Sequence, residues 1–504
     1  MMKTAITNKN NFRQLQFSVL GTFIFYMAAN GFILFNYVPQ HDSLNYISNF
    51  TGNWELILGR FLLPVYGFFR GELTVPLLTG IISIICLSIM TYYVTDLLEI
   101  NKPLYILLAA AFLSANITHT ELLSSFIYVE DACMTAAMLA CISVYILNRT
   151  DKTKWRALSI ALLVLSMGLY QAYLATAATL ILLLSMKEIL KSGKFGREEI
   201  RKLILNTFIL VIACIIYFLI KNLIMMFSGL QEASDYHSLT NILHDLGSIP
   251  SRLYVNYGSK ISMFFFRKEM SLGRIGNCLL AISVVFIIYR IFRLQKINFK
   301  TRLIFIILFL ISTLTSLMFN IGAGMIAYRL SFAIFLYYLF IISVLELFND
   351  KFSEKVIQNR AMCILLASVI WSNLVYSNGA YTTQKVIFDR SISLYTRVLD
   401  DMYEIPEYVH NTTPVILLGD YTFDDYAYDL SKKEYRDLGT FKNTSVTYPL
   451  TVKNMMRYLG EEVNLVRDEN TVSKFIEKQE TKSMPSFPYK GYIQMVDNYL
   501  VIHF

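Results

Sequence analysis

Apolar residues in this chain occur in repeated runs that are almost free of charge, rather than in short amphipathic stripes. Most runs approach the roughly 20 residues that an α-helix needs to cross a bilayer. Charged residues collect in the short segments between the runs. Since only helices and closed barrels satisfy their backbone hydrogen bonds in lipid, this pattern predicts a mainly α-helical, polytopic membrane protein.

The apolar runs define the predicted membrane segments. Those read as single spans are 17–37, 74–95, 103–118, 132–147, 203–225, 278–292, 303–319, 330–348 and 361–376. The run 157–186 is too long for one untilted span at about 1.5 Å per residue, and both of its flanks are basic. We predict that it turns back near Gly168–Gln171 as a re-entrant hairpin or two short helices, which gives about eleven segments. One long tilted helix is the alternative.

Basic residues in the connecting segments set the predicted orientation. Lys3, Lys9 and Arg13 precede the first span without an acidic residue, so the positive-inside rule places the N-terminus in the cytoplasm. The segments that then face outward are 38–73, 119–131, 227–277 and 320–328. The same clustering accounts for the net charge of +8, so we predict no nucleic-acid partner.

Composition adds a second domain to this picture. Hydrophobic residues make up 55% of the 504 residues and charged residues only 16%, which excludes an entirely soluble protein. From about residue 382 charged residues return, and the pattern predicts a buried strand at 413–420 and strands within 492–504. We therefore predict a transmembrane domain at 1–380 and a small α/β domain at 381–504, which the span count places on the extracytoplasmic side.

The first external segment carries the earliest chemistry in the chain. His41 and Asp42 follow the first span, where ionisable groups are costly and usually functional. Apolar residues then recur at helical spacing over Trp54–Phe61. A helix lying flat in the membrane interface would hold Glu55 and Arg60 at the water boundary. A plain connecting loop with a membrane-hugging helix is the alternative.

The predicted topology brings ionisable residues from several segments to the same side of the membrane. They are the acidic Asp42, Glu130 and Asp131 and the basic Arg60, Arg267, Lys268 and Arg329, with the Tyr170–Gln171 turn beside them. A carboxylate next to an acceptor hydroxyl can act as a general base, and an arginine can stabilise a departing phosphate. Together they favour sugar transfer from a polyprenyl-phosphate sugar. For each residue alone, a salt bridge or an interface anchor is the structural alternative.

Other chemistries find little support in the sequence. It contains no Walker loop, no G-x-G-x-x-G after a strand, no H-E-x-x-H and no G-x-S-x-G. The six cysteines form no C-x-x-C pair, so neither a disulfide framework nor a zinc site is predicted. The spacing of His41, Asp42, His119 and Glu121 specifies no metal. We predict no cofactor, and a bound divalent cation stays open as an alternative.

The same residues resemble a known family, the GtrII-type glucosyltransferases, which are integral membrane enzymes of bacterial serotype conversion. The resemblance is carried by short motifs in a matching order, namely His41-Asp42-Ser43, Gly59-Arg60, Glu130-Asp131, Gly168-Leu169-Tyr170-Gln171-Ala172 and Arg329-Leu330-Ser331. It covers about residues 17–376, whereas the C-terminal part is similar only in size and strand-rich character.

The resemblance implies a GT-C-like helical bundle in the bacterial cytoplasmic membrane, with undecaprenyl-phosphate glucose as donor and inversion at the anomeric centre. The acceptor would be a surface polysaccharide such as O-antigen, or its lipid-linked precursor, at the outer face. Asp42 would be the general base, and Glu130 and Asp131 an auxiliary acidic pair. We assign donor-phosphate binding to Arg60, Arg329, Arg267 and Lys268, and substrate binding to His41, Tyr170 and Gln171.

Two other functions stay open on the sequence alone. A transporter of lipid-linked oligosaccharides or polysaccharides usually shows pseudo-symmetric halves and helices broken near the midplane, and this chain shows no evident internal repeat. A surface-polysaccharide polymerase is the closer rival, because it shares lipid-linked substrates and chemistry at the outer face.

Overall fold

The computed structural model describes most of the chain. The described residues are 2–39, 42–46, 53–150, 152–230, 250–251, 254, 258, 265, 270–323, 327–352, 356–421 and 447–504. His41, Arg267 and Lys268 lie outside them. The structure is 77% helical, with a small C-terminal sheet and, in its described part, ten helices long and apolar enough to cross a membrane. The predicted mainly α, polytopic fold class is therefore confirmed.

Helices dominate the order of elements. The helices are α1 (Met2–Phe35), α2 (Asp42–Asn45), α3 (Asn53–Ile57), α4 (Leu63–Arg70), α5 (Pro76–Leu97), α6 (Pro103–Ser114), α7 (Ile117–Ser125), α8 (Glu130–Arg149), α9 (Thr153–Leu169), α10 (Leu174–Ser192), α11 (Arg197–Ser228), α12 (Ser271–Leu294), α13 (Phe299–Ser316), α14 (Met318–Ala323), α15 (Leu336–Phe352), α16 (Val356–Tyr403), α17 (Pro449–Tyr458), α18 (Glu469–Glu477) and α19 (Gln479–Lys482). The strands are β1 (Pro414–Leu418), β2 (Asn464–Leu465), β3 (Ile493–Val496) and β4 (Tyr499–His503).

The chain forms two compact units. The first unit comprises Met1–Phe35, Asn49–Leu123 and Tyr128–Asn378, and the second comprises Asn36–Ser48, Ser124–Ile127 and Gly379–Phe504. Composition had placed a single boundary at residue 380, whereas the second unit also takes in two short segments from early in the chain. A catalytic role for one part and an extracytoplasmic position for the other stay predictions.

Within the first unit, α8 packs against α5 and α9, α1 packs against α5 and α6, and α10 packs against α13 and α15. The spans differ strongly in how enclosed they are. The apolar window of Pro103–Ser125 is 94% buried and that of Arg197–Ser228 only 22%. The first of these spans therefore lies in the core of the bundle, and α11 lies at its exposed edge.

The predicted break in the long apolar run 157–186 is confirmed. Helix α9 ends at Leu169, the backbone at Tyr170 is extended, and a 3₁₀ turn at Gln171–Tyr173 leads into α10. One long tilted helix is therefore excluded. Helix α9 has 17 residues, and adding it to the ten candidate spans gives the eleven predicted segments.

The prediction of an outer loop at 119–131 is wrong. Helix α7 already covers Ile117–Ser125, and α8 begins at Glu130 after a 3₁₀ turn. His119, Glu130 and Asp131 are 0% exposed. A hydropathy scale scores every polar side chain as favouring water. Here the polar side chains form hydrogen bonds with one another inside the unit instead.

The predicted interfacial helix over Trp54–Phe61 is also wrong. Helix α3 ends at Ile57, and the chain turns at Gly59, whose φ of +79° is costly for any residue with a Cβ atom. Glu55 was expected at the water boundary but is only 2% exposed. The turn ends the helical spacing, so the apolar residues do not form one face.

Two further predicted loops are partly helical. Helix α12 begins at Ser271, so the end of the predicted loop 227–277 belongs to a span. Helix α14 and a 3₁₀ turn at Tyr328–Leu330 occupy most of the described part of 320–328.

The predicted last span, 361–376, is only part of α16, a 48-residue helix. This helix runs through the boundary predicted from composition. No proline interrupts Val356–Tyr403, and Pro406 follows its end. A fall in hydropathy changes the surroundings of a helix but does not end it.

The second unit contains a four-stranded sheet in the order β2-β1-β4-β3. Strand β1 runs parallel to β2 and β4, and β3 is antiparallel to β4. The predicted strands at 413–420 and 492–504 are therefore confirmed. A core on this sheet comprises Ile416, Leu418, Phe475, Met484, Val496 and Val501. Helix α2, which begins at Asp42, packs against α17 in the same unit.

Candidate active site

Glu130 is a fully buried carboxylate whose hydrogen-bonding capacity is largely used. Its Oε1 accepts from the Tyr26 hydroxyl at 3.1 Å and lies 2.9 Å from Nδ1 of His119, while its Oε2 accepts from Ser83. These partners come from α1, α7 and α5. A carboxylate bound by three donors inside a helical bundle ties helices together, because losing any donor leaves a buried charge partly unsatisfied.

The proton of His119 follows from its two neighbours. Nε2 lies 2.8 Å from the carbonyl oxygen of Leu113, and a carbonyl oxygen can only accept, so Nε2 carries a hydrogen. Nδ1 lies 2.9 Å from Oε1 of Glu130, so one proton is shared between the ring and the carboxyl group.

Asp131 differs from its neighbour Glu130. Its Oδ1 accepts from the backbone N–H of Ala132 at 3.0 Å and lies 3.6 Å from Nη1 of Arg70. Its Oδ2 is buried and makes no hydrogen bond of standard geometry to a described group, and the Tyr66 hydroxyl is the donor that interacts with this carboxylate. Asp131 is thus a buried carboxylate with one oxygen left for a ligand or a proton.

Arg329 is held in place by Glu121. Its Nη1 donates to Oε1 of Glu121 at 2.7 Å, and its backbone N–H donates to Oε2 at 2.6 Å. Both side chains are mostly buried. Glu121 therefore neutralises much of the positive charge of Arg329, the residue that the sequence analysis assigned to binding the donor phosphate.

The turn that carries Arg60 is clamped to the break between α9 and α10. The Gln171 side-chain amide donates to the carbonyl of Leu58 at 2.6 Å and to the Tyr217 hydroxyl at 2.8 Å. That hydroxyl donates to the carbonyl of Gly59 at 2.9 Å. A Cβ atom on Gly59 would lie 2.4 Å from the same hydroxyl, so the close approach requires glycine. Gln171 is therefore a positioning residue for Arg60.

Arg60 itself is left with an aromatic partner. Its guanidinium carbon lies 4.4 Å from the ring centroid of Tyr170. Its Nε is buried without a hydrogen bond, and no carboxylate among the described residues pairs with it. A planar cation stacked on an aromatic ring keeps its donor edge for an oxyanion.

The charged groups of the first unit act on common neighbours. The charges of Arg60 and Arg329 both act on the Tyr170 hydroxyl. Arg60 and the acidic pair at the start of α8 all act on the buried thiol of Cys133. These residues therefore share one electrostatic environment, in which charges interact more strongly than in water.

The structure brings together most, but not all, of the residues predicted from the sequence. Those that belong to the first unit are Arg60, Glu130, Asp131, Tyr170, Gln171 and Arg329. Asp42 belongs to the second unit, where it opens α2 half-buried, and Ser43 beside it donates to the carbonyl of Ser125 at 3.0 Å.

Sequence reasoning missed the partners that decide what each charge can do. The residues it did not single out are Tyr26, Tyr66, Arg70, Ser83 and Tyr217. Arg70 carried the one usable signal, because it is a lone cation at the edge of an apolar run. Hydroxyls on spans carry none, since serine and tyrosine are common there. Within the described part of the chain no three metal-ligating side chains cluster, and His119 and Glu121 are engaged with Glu130 and Arg329.

Buried ionisable residues on membrane-length helices define the class of this molecule as a polytopic membrane protein with an internal polar site. A family model, Glucosyl transferase GtrII, matches residues 31–345, which is more than half of the chain and contains every residue predicted for the site. The chain belongs to this family, which confirms the resemblance and supports a glucosyltransferase role. No curated protein and no solved structure matches the chain.

Proposed function

We propose that the protein transfers glucose from a polyprenyl-phosphate donor to a surface polysaccharide, or to its lipid-linked precursor, at the outer face of the bacterial cytoplasmic membrane. Membership of the glucosyl transferase family supports the transfer of glucose. The basic connecting segments support the orientation. The motifs shared with GtrII-type enzymes support a GT-C class enzyme that inverts the anomeric centre.

The observation that carries this proposal is the state of Arg60. Its guanidinium stacks on Tyr170, it has no carboxylate partner among the described residues, and Gln171 fixes the turn that presents it. A planar guanidinium can bind two phosphate oxygens at once. Such a cation in a poorly solvated site is suited to a donor whose charged group is a phosphate.

The proposed reaction exchanges one bond at the sugar. The acceptor hydroxyl oxygen attacks C1 of glucose from the face opposite the phosphate, and the bond between C1 and the phosphate oxygen breaks. The bonding electron pair leaves with polyprenyl phosphate, where Arg60 stabilises the added charge. The hydroxyl proton passes to a carboxylate base. Arg329 is already bound to Glu121. It therefore adds positive charge nearby but does not offer its full guanidinium to the phosphate.

We propose Asp42 as that base, as the resemblance implies. Asp131 is the alternative that the first unit offers, because its Oδ2 makes no hydrogen bond to a described group. Glu130 is less suited to act as the base, since its oxygens are already engaged with Tyr26, Ser83 and His119. His41, Arg267 and Lys268 stay predictions for substrate and phosphate binding.

The test uses the purified full-length protein in liposomes, supplied with radiolabelled polyprenyl-phosphate glucose and a lipid-linked acceptor glycan. We expect label in the glycan and release of polyprenyl phosphate, with the opposite anomeric configuration in the product by NMR. Extension of the acceptor by whole repeat units would indicate a polymerase. Movement of label across the bilayer without transfer would indicate a transporter. Either result overturns the proposal.

A further inference from the structure

A cavity of about 1570 Å³ opens among helix ends that carry basic connecting segments. Its walls come from the C-terminal parts of α5, α8 and α10, from the start of α9 with the segment before it, and from the first three turns of α11. Within the described part of the chain, its lining shares no residue with the candidate active site. Pockets for drug-sized ligands measure roughly 300–1,000 Å³, so this one has room for a larger molecule.

Basic side chains outnumber acidic ones along the cavity. Several cations are already neutralised, since Arg149 pairs with Asp96 and both Lys187 and Lys191 pair with Glu99.

The cations on α11 are different. Arg197, Arg201 and Lys202 are exposed, and no carboxylate among the described residues pairs with any of them. Glu199, beside them, accepts a hydrogen bond from the backbone N–H of Gly196 at 2.8 Å. A second carboxylate, Glu198, lies on the same turn, so the α11 side of the cavity carries three cations against two carboxylates and keeps a net positive charge.

The next turns of α11 are apolar. Ile204 and Phe208 line the same cavity and are 63% and 59% exposed. Helix α11 is also the least enclosed of the ten candidate spans. A soluble phosphate compound would gain little from such a wall, whereas an acyl chain would cover it. Three cations followed by an apolar wall match a phosphate ester that carries an apolar tail.

We propose that this cavity binds an anionic phospholipid, with its phosphate against Arg197, Arg201 and Lys202 and an acyl chain along Ile204 and Phe208. Basic pockets between membrane helices are suited to acidic head groups at a negatively charged leaflet. Polyprenyl phosphate has the same general chemistry, and the experiment separates the two. The proposal does not depend on the transfer reaction, so the failure of either leaves the other standing.

Binding is measured by native mass spectrometry on the purified full chain in a neutral detergent. The ligands are phosphatidylglycerol, phosphatidylcholine, glycerol phosphate and polyprenyl phosphate. The test variant is R197Q/R201Q/K202Q. The matched control is R293Q/K296Q/K300Q, which removes the same charge from a segment that does not line the cavity. That segment lies at the same end of the bundle, because Gln295 within it donates to the carbonyl of Leu190, near the end of α10, at 2.7 Å.

We expect phosphatidylglycerol to bind best and the test variant to bind it at least ~10-fold more weakly, since three cations next to the phosphate are removed. The control variant should bind like the wild type, and salt should weaken binding. Equal losses in both variants would reduce the effect to general surface charge and overturn the site. Tight binding of glycerol phosphate, or a preference for polyprenyl phosphate, would overturn the assignment to phospholipid.

Discussion

The candidate active site contains two kinds of charged residue that sequence alone does not separate. Glu130 and Asp131 are neighbours at the start of α8, and both are fully buried. Glu130 is bound by three side chains, whereas Oδ2 of Asp131 makes no hydrogen bond to a described group. Glu130 therefore links helices through its hydrogen bonds, whereas Asp131 has a carboxylate oxygen that can bind a ligand or a proton.

The cations show the same division. Arg329 makes two hydrogen bonds with Glu121, whereas Arg60 stacks on Tyr170 and pairs with no described carboxylate. The comparison teaches that a charged residue in a membrane protein is informative about function only once its partners are known. We call a charged residue saturated when protein groups already use its hydrogen-bonding atoms, and open when they do not. Changing a saturated residue should affect stability, and changing an open one should affect transfer.

The largest effect is expected at Asp42. Replacing a general base usually costs ~10²–10⁴-fold in rate, so Asp42→Asn should lose nearly all transfer while the protein inserts and purifies normally. The measurement is the initial rate of label transfer in liposomes. Asp131→Asn is the paired variant, and a larger loss there than at Asp42 would move the base assignment to Asp131.

Arg60→Ala should lower transfer by ~10²–10³-fold, because a positioned donor to the leaving phosphate is removed in a poorly solvated site. Arg60→Lys should recover little, since a lysine lacks the planar fork that binds two oxygens. Arg293→Ala, at an exposed arginine, is the control. Transfer within about twofold of wild type in Arg60→Ala would contradict the open character of this residue.

Gln171→Ala should act through position rather than charge. Losing its bonds to Leu58 and Tyr217 loosens the turn at Arg60, so we expect KM for the donor to rise ~10-fold with a smaller change in kcat. Tyr217→Phe should act similarly, and the double variant should be no worse than the stronger single one. Additive losses would show that the two side chains do not act through one clamp.

Glu130→Gln tests the saturated half. It should destabilise the protein by about 1–3 kcal/mol, because a buried network loses its charged acceptor. Thermal unfolding in detergent measures the effect, with Asp131→Asn as the comparison. If Glu130→Gln unfolds like the wild type but has lost transfer, the division between saturated and open carboxylates is wrong.

The second unit supplies an independent saturated carboxylate for the smallest expected effect. Burial alone would raise the pKa of Glu461, but hydrogen bonds from Tyr403, Tyr408 and His410 outweigh it and hold the pKa below its ordinary value of 4.5. A carboxylate with a lowered pKa stabilises the folded state above its unfolded pKa, and this contribution is lost as the pH falls through the folded pKa.

Glu461→Gln should therefore weaken hydrogen-exchange protection around β1 at pH 7. The difference from wild type should begin to shrink below pH 4.5, where the unfolded state takes up the proton first, and it should be lost once the pH falls below the lowered pKa of folded Glu461. A difference that stays constant with pH would show that the side-chain charge does not stabilise this region.

Much of the fold could be predicted because hydropathy and basic flanks act locally. They identified the eleven segments and the helix break before Gln171. They failed at 119–131, where polar side chains are hidden inside the bundle. The sequence also could not show which charged residues already have partners, because Tyr26 lies 104 residues from Glu130 and Arg329 lies 208 residues from Glu121. Such pairs exist only after folding.

The order of Glu130's partners along the chain has a consequence for biosynthesis. Tyr26, Ser83 and His119 all precede Glu130, so they have left the ribosome before α8 enters the insertion machinery. The Glu130 carboxylate, which is costly to bury in lipid, can therefore form hydrogen bonds to donors that are already synthesised when α8 inserts. Glu121 has no such provision, since Arg329 is made 208 residues later. Until then the growing polypeptide has to shelter that acid by other means.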